Sequence, residues 1–187
     1  MPGAIRVRRL DRLGEREVAG LSEVLIDCVE GGASVSFMLP MTHAKAEAFW
    51  RRTAAAAIRG ERVILAAEDA TGTIVGTVLV ILDQPENQPH RGDLAKMLVH
   101  RRARRQGVGA ALLAAAERSA LDAGKTLLVL DTASADAERL YARQGWQACG
   151  VIPHYALLPD GTPCATRFYF KFLRDMRPSP SPHAAEG

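Results

Sequence analysis

Several things scarce in this chain narrow what it can be. Aromatic residues fill only 5% of its 187 positions, and no second basic stripe accompanies the single arginine run, so a base-stacking surface is not indicated and nucleic acid is not an expected partner. There are three cysteines, Cys28, Cys149 and Cys164, an odd number with no histidine cluster near them. That excludes a disulfide framework and gives no metal site, and it fits a reducing, cytoplasmic setting. No stretch approaches the ~20 apolar residues of a membrane span, and Met1 to Leu10 carries Arg6, Arg8 and Arg9 without an apolar run behind them. Neither a membrane nor an export route is expected. The net charge of +3 is too small to imply a generally cationic surface.

What is present is a core. With 48% hydrophobic and 24% charged residues, the chain is sized for one globular domain, expected over residues 1–174. Residues 175–187, with Pro178-Ser179-Pro180-Ser181-Pro182, read as a flexible tail. Alternation of Ile5, Val7 and Leu10 with charged residues predicts an edge strand over 4–10. Val18, Leu21, Val24, Leu25 and Cys28 recur at helical spacing before Gly31-Gly32, and a second helical pattern spans 42–58. Between them, Ser34 and Phe37 belong to an irregular stretch that could floor a pocket or simply connect two helices. Residues 63–68 and 73–82 read as a hairpin, and 92–99 as the next strand. Period two there places Asp93, Ala95, Met97 and Val99 on one face, opposite Leu94, Lys96 and Leu98. A helix follows over 108–123, then a nearly all-apolar strand over 126–131 that reads as covered on both faces. A short helix at 134–144 and strands at 146–152 and 164–173 complete the order β-α-α-β-β-β-α-β-α-β-β.

The chemistry centres on His100-Arg101-Arg102-Ala103-Arg104-Arg105-Gln106-Gly107-Val108-Gly109-Ala110, between the strand at 92–99 and the helix at 108–123. Glycines there let the backbone turn and approach a ligand, and the helix start offers unpaired N–H groups and a positive dipole end to a phosphate. Four arginines within 101–105 serve the same anion. A Walker loop is excluded because Ala110-Ala111 stand where Lys and Ser or Thr are required, and a dinucleotide fingerprint because Leu112 occupies its third glycine. A plain helix start with solvated arginines is the competing reading of the loop alone.

Arg104-x-x-Gly107-x-Gly109 resembles the pyrophosphate loop of the GNAT acetyltransferase superfamily, and the element order with Leu140-Tyr141-x-x-x-Gly145-Trp146 extends that resemblance along nearly the whole chain. It implies an α/β (α+β) GNAT fold, a mixed sheet of about seven strands flanked by helices on both faces. It also implies acetyl-CoA as co-substrate, bound by Met97, Leu98, Val99, Arg104, Arg105, Gln106, Gly107, Val108, Gly109, Ala110, Ser134 and Tyr141. More narrowly, Gly31 to Met38, Lys96 to Val99, Leu130-Asp131-Thr132, Pro159-Asp160-Gly161 and Tyr169-Phe170-Lys171 resemble the tabtoxin-resistance branch, which acetylates a small toxin. Three positions depart from expectation: Asp93 where that branch has glutamate, Ser134 where many members have asparagine, and Trp146 where phenylalanine is commoner.

Acetylating an alkyl ammonium of pKa ~10.4 at pH 7 first requires removing a proton, at a cost of roughly 4 to 5 kcal/mol. Asp93 is the candidate base, joined by Asp131 through water, and acts by relay through ordered water or with a raised pKa. A strand-end or turn role competes for both, more strongly for Asp131. Backbone N–H groups along Met97 to Val99 are the implied oxyanion donors, and Tyr141 the implied proton or hydrogen-bond donor to the departing sulfur. Ser34 and Phe37, with the two aspartates, are candidate contacts to the acceptor, a small-molecule amine such as a toxin, antibiotic or metabolite. A protein or peptide amine, or a non-catalytic acyl-CoA sensor, is the alternative. Related proteins often form homodimers.

Overall fold

The computed structural model describes residues 5–173; the expected tail at 175–187 and the first position of the predicted strand at 4–10 lie outside them. The elements are β1 (Arg6–Arg9), α1 (Glu15–Glu30), α2 (His43–Ile58), β2 (Arg62–Glu68), β3 (Ile74–Ile81), β4 (Arg91–Val99), a 3-10 turn (Arg101–Ala103), α3 (Val108–Asp122), β5 (Leu127–Thr132), α4 (Ala135–Arg143), β6 (Gln147–Leu157) and β7 (Pro163–Phe172). Their order is the one predicted. All seven strands form one sheet in the order β1-β2-β3-β4-β5-β7-β6, antiparallel throughout except between β4 and β5. No described helix is long and apolar enough to cross a membrane.

Helical spacing in the sequence becomes two packed layers. On one face of the sheet, Leu21, Val24 and Leu25 of α1 and Trp50 of α2 bury against Ile64, Leu79 and Leu98. On the other, Leu112 and Leu113 of α3 and Tyr141 of α4 bury against Leu65, Val78, Val80 and Leu128. Covered from both sides, β3 is buried from Ile74 to Val80. Thr42 caps α2 by accepting the Lys45 N–H at 3.2 Å, and the Glu17 carboxylate closes the start of α1 on the Gly14 N–H at 3.1 Å.

Three expectations are corrected. β5 is not covered on both faces: Leu128 and Leu130 are buried while Leu127 and Val129 are only half-buried. The reason is that α1 packs over β3 and β4 and α2 over β2, short of β5. β6 runs on to Leu157 rather than stopping at 152, because an edge strand tolerates Pro153 where a central one would not. Its pairing with β7 is irregular between Ile152 and Ala156.

The third correction bears on the site. The alternation predicted for β4 breaks at a bulge opposite Val78, where Lys96 adopts a left-handed φ of 52°. Leu94, Met97 and Val99 therefore join the α3 layer, while Ala95 and Leu98 join the α1–α2 layer. Asp93 and Ala95 do not share a face with Met97 and Val99.

Candidate active site

The sheet opens at one seam. β4 and β5 pair through Arg91↔Leu127, Gly92↔Leu128 and Asp93↔Val129 and then part, so Leu94–Val99 has no strand on that side. On its other side β4 stays paired with β3 to Gly76↔Val99, and His100 N–H donates to Val75 O at 2.9 Å. Antiparallel alternation then turns Leu98 toward β3 and the backbone groups of Met97 and Val99 into the seam. The Val99 carbonyl confirms this direction by accepting Arg104 Nε at 3.3 Å and Cys28 Sγ at 3.5 Å instead of a ladder bond. Burial pushes the Cys28 thiol pKa up and keeps it a small packed group. Unpaired strand donors facing a gap are a template for an extended polar ligand.

At the end of the seam the loop rises into α3. Gly107 caps the helix at φ 82°, a conformation that favours glycine, and Arg105 before it also has a positive φ of 62°. The first intrahelical bond runs from Ala111 N–H to Gly107 O, leaving the N–H groups of Val108, Gly109 and Ala110 free for an anion. Gly109 meets α4 instead: a Cβ there would lie 2.9 Å from Leu140 Cδ2 and would push the end of that side chain aside.

The four arginines divide, which corrects the expectation that all serve one anion. Arg101 donates from its backbone N–H (2.7 Å) and Nε (2.9 Å) to Asp27, and Arg102 pairs with Asp69 at 3.2 Å. Although burial works against it, contact with Arg101 holds the Asp27 carboxyl below the usual range. These two arginines fasten the loop to α1 and to the β2–β3 turn. Arg104 and Arg105 are exposed and make no ion pair among the described residues. Gln106 hydrogen-bonds back to Arg102 O at 3.0 Å.

On the α3 side of the seam, Tyr141 is buried with its ring between Trp146 (5.8 Å) and Tyr169 (5.7 Å). Among the described residues nothing hydrogen-bonds its hydroxyl, yet that oxygen is not one of the sealed polar atoms. Burial, reinforced by Asp131, raises the phenol pKa, so it stays protonated and able to donate. Ser134 caps α4, its hydroxyl accepting the Ala137 N–H at 3.3 Å.

On the opposite face, the bulge brings Asp93, Lys96 and Asp131 together. Asp93 is ion-paired with Arg91 and accepts Gln84 Nε2 at 3.1 Å. Asp131 is exposed to solvent at the cleft mouth, yet the protein around it partly desolvates the carboxyl and raises its pKa; Asp93 adds to the rise and Lys96 opposes it. A cavity of about 390 Å³ adjoins Asp131, lined also by Ser34, Ser36, Phe37, Tyr155 and Leu157. The β6–β7 arm clasps this wall: Ser34 Oγ donates to Leu157 O at 3.0 Å and Leu39 N–H to Pro159 O at 3.0 Å.

Sequence reasoning missed the contributions of Lys96, Ser36 and the far end of β6. Lys96 was visible as a cation inside an apolar strand, but strict alternation sent it to the wrong face.

A split sheet, a cationic glycine-capped helix start at the split and an adjoining cavity thus meet in one stretch of the fold. The family profile described as "Acetyltransferase (GNAT) family" matches residues 35–146, and the chain belongs to that family of acetyl-CoA-dependent acetyltransferases. Solved structures share the fold. A ribosomal-protein-alanine N-acetyltransferase from Brucella melitensis superposes with a TM-score of 0.74 at 22% identity, over 89% of this chain and 99% of the other. A Salmonella typhimurium protein provisionally described as an acetyltransferase, solved with its cofactor acetyl-CoA, gives 0.76 at 16% identity, over 95% and 99%. A protein provisionally described as a phosphinothricin N-acetyltransferase gives 0.73 at 16%, over 92% and 100%.

Proposed function

We propose that the protein transfers the acetyl group of acetyl-CoA directly to the primary amine of a small molecule. The observation that carries this reading is the meeting of the β4–β5 seam with a cavity of about 390 Å³ beside Asp131, a volume suited to a small acceptor. Acetyl-CoA supplies an activated acetyl thioester. The free N–H groups at 108–110, with Arg104, Arg105 and Gln106, fit its pyrophosphate, and the seam-facing backbone of Met97 and Val99 fits its extended arm and the developing oxyanion.

Asp131 takes the amine proton. Its raised pKa makes it a better match to an amine than an ordinary carboxylate, and Asp93 supports it from within the Arg91 and Gln84 contacts, through water. Tyr141 donates to the leaving sulfur, its ring fixed by Trp146 and Tyr169. Ser34 and Phe37 contact the acceptor. Among the described residues no Cys–His–acid arrangement calls for an acetylated enzyme: Cys28 is buried, Cys164 points its thiol at Ser34, and the exposed Cys149 on β6 has no hydrogen-bonded histidine.

The names of the structural neighbours divide between a protein acceptor and a small one. Cavity volume and the motifs resembling the tabtoxin-resistance branch favour the small one. The test is thiol release from acetyl-CoA across a panel of small amines, toxins, antibiotics and peptides, with mass spectrometry of the acceptor. Acceptor-dependent release with an acetylated product is expected. Tight acetyl-CoA binding with no acceptor-dependent release from any of them would leave a sensor.

A further inference from the structure

Lys96 is a cation held directly behind two walls of the acceptor cavity, Ser36 and Phe37, with unused donors. Its left-handed bulge turns the side chain toward the α1–α2 loop, where Nζ donates to Ser36 Oγ at 3.2 Å and lies 5.8 Å from the Phe37 ring centroid and 5.7 Å from that of Phe49. Ser36 and Phe37 are cavity walls. An ammonium has three N–H donors, and the aromatic faces attract its charge without accepting a directed bond of carboxylate strength. Among the described residues no carboxylate lies within ion-pair distance of Lys96, although Asp131 is near enough to act on it. Two N–H donors therefore remain without a partner among the described residues, next to the Ser36 and Phe37 wall of the cavity.

The charge layout around that cavity is asymmetric. Asp131 stands on the seam side, where the thioester would lie. Lys96 stands on the α1–α2 side with a second ammonium, Lys45 Nζ, 5.8 Å from the same Phe37 ring. Burial lowers the proton affinity of Lys96, with Arg62 adding to that and Asp131 opposing it, so an incoming anion would relieve a desolvated cation.

We propose that Lys96 binds a carboxylate on the acceptor, so that the enzyme selects amines carrying one, with the amine at Asp131 and the carboxylate at Lys96. This rests on the acetyl-transfer reading above and adds to it the class of acceptor. Lys96 is then a specificity-determining residue and takes no proton in the reaction.

The test compares amino acids of graded chain length with their carboxamides, which keep the amine and remove the negative charge. Two measurements run in parallel: kcat/KM by thiol release, and calorimetric binding with coenzyme A present. The wild-type protein should favour the acids by about tenfold or more in both. Lys96→Gln should erase that preference by weakening the acids about tenfold more than the amides in the calorimetric arm, and Lys96→Arg should retain most of it. Amides equal to acids in the wild-type protein would overturn the proposal even if Lys96→Gln fails to fold, as would a Lys96→Gln protein that weakens acids and amides alike. Acids that bind in a Lys96-dependent way without being acetylated would support the carboxylate site and overturn the transfer reading. Acetylation indifferent to the carboxylate would do the reverse.

Discussion

The two sides of β4 obey different rules. Toward β3 its pairing runs, apart from the bulge, from Asp93 to Val99, and β3 and β2 beyond it are sealed between two helical layers; toward β5 it holds for three residue pairs and then parts. Satisfied backbone and close-packed aliphatic side chains make the first side a scaffold. The second side carries a left-handed lysine, an exposed aspartate whose carboxyl pKa is nonetheless raised and, among the described residues, strand donors and a tyrosine hydroxyl without partners. Stability and chemistry are thus assigned to opposite flanks of one strand, and substitutions should separate them.

On the sealed side, Leu112→Ala removes a fully buried side chain from the α3 layer and should destabilise by about 2–5 kcal/mol, read as a lowered midpoint in denaturant with an unchanged slope. A loss under 0.5 kcal/mol would mean that this flank is not the scaffold. On the open side, Tyr141→Phe keeps the ring against Trp146 and Tyr169 and removes only the donor. Its kcat should fall about 10²-fold with the KM for acetyl-CoA and the melting temperature nearly unchanged. An unaffected kcat with chemistry rate-limiting would make Tyr141 a packing residue.

Asp131→Asn should lower kcat/KM for the amine by about tenfold or more. The sign of its pH dependence follows from desolvation: a carboxyl with a raised pKa loses its proton later, so the wild-type acid limb rises through a pH above the ordinary aspartate value, and that limb should vanish in the variant. Asp93→Asn should cost less, because Asp93 already neutralises Arg91, and its deficit should shrink as pH rises and more amine is neutral. The smallest effect belongs to the exposed edge. Ile152→Thr on β6, where Ile152 is 46% exposed, should change stability by no more than about 0.5 kcal/mol.

The same contrast explains what the sequence made legible. Buried helices announce themselves by period: Val18, Leu21, Val24, Leu25 and Cys28 are all buried as their spacing predicts, and so are Val108, Leu112, Ala116 and Ala120. The order of elements and the glycine-capped helix start followed from local residue chemistry. What stayed hidden depended on non-local geometry. One inserted residue in a ladder reverses every side chain after it, so no period-two argument could carry Asp93 and Met97 together across the bulge at Lys96. The division of the arginines was equally out of reach, because Asp27 and Asp69, which hold Arg101 and Arg102, lie 74 and 33 residues away in sequence. The acceptor wall, built from the α1–α2 loop and the far end of β6, joins Ser34 to Leu157 across 123 residues.

Gly107 offers the most direct test, because the pyrophosphate of acetyl-CoA is proposed to sit on the N–H groups that follow it. Asparagine and aspartate both tolerate the left-handed conformation at this position and nearly share a shape, and space around the glycine is open, so the pair differs chiefly by one negative charge. Calorimetric titration with acetyl-CoA should give Gly107→Asn an affinity within about tenfold of the wild type and weaken Gly107→Asp by about a further 10²-fold, with the gap narrowing as salt is added. Equal affinity for the two variants at low salt would contradict the placement of the phosphates at α3, and with it the path of the thioester into the seam.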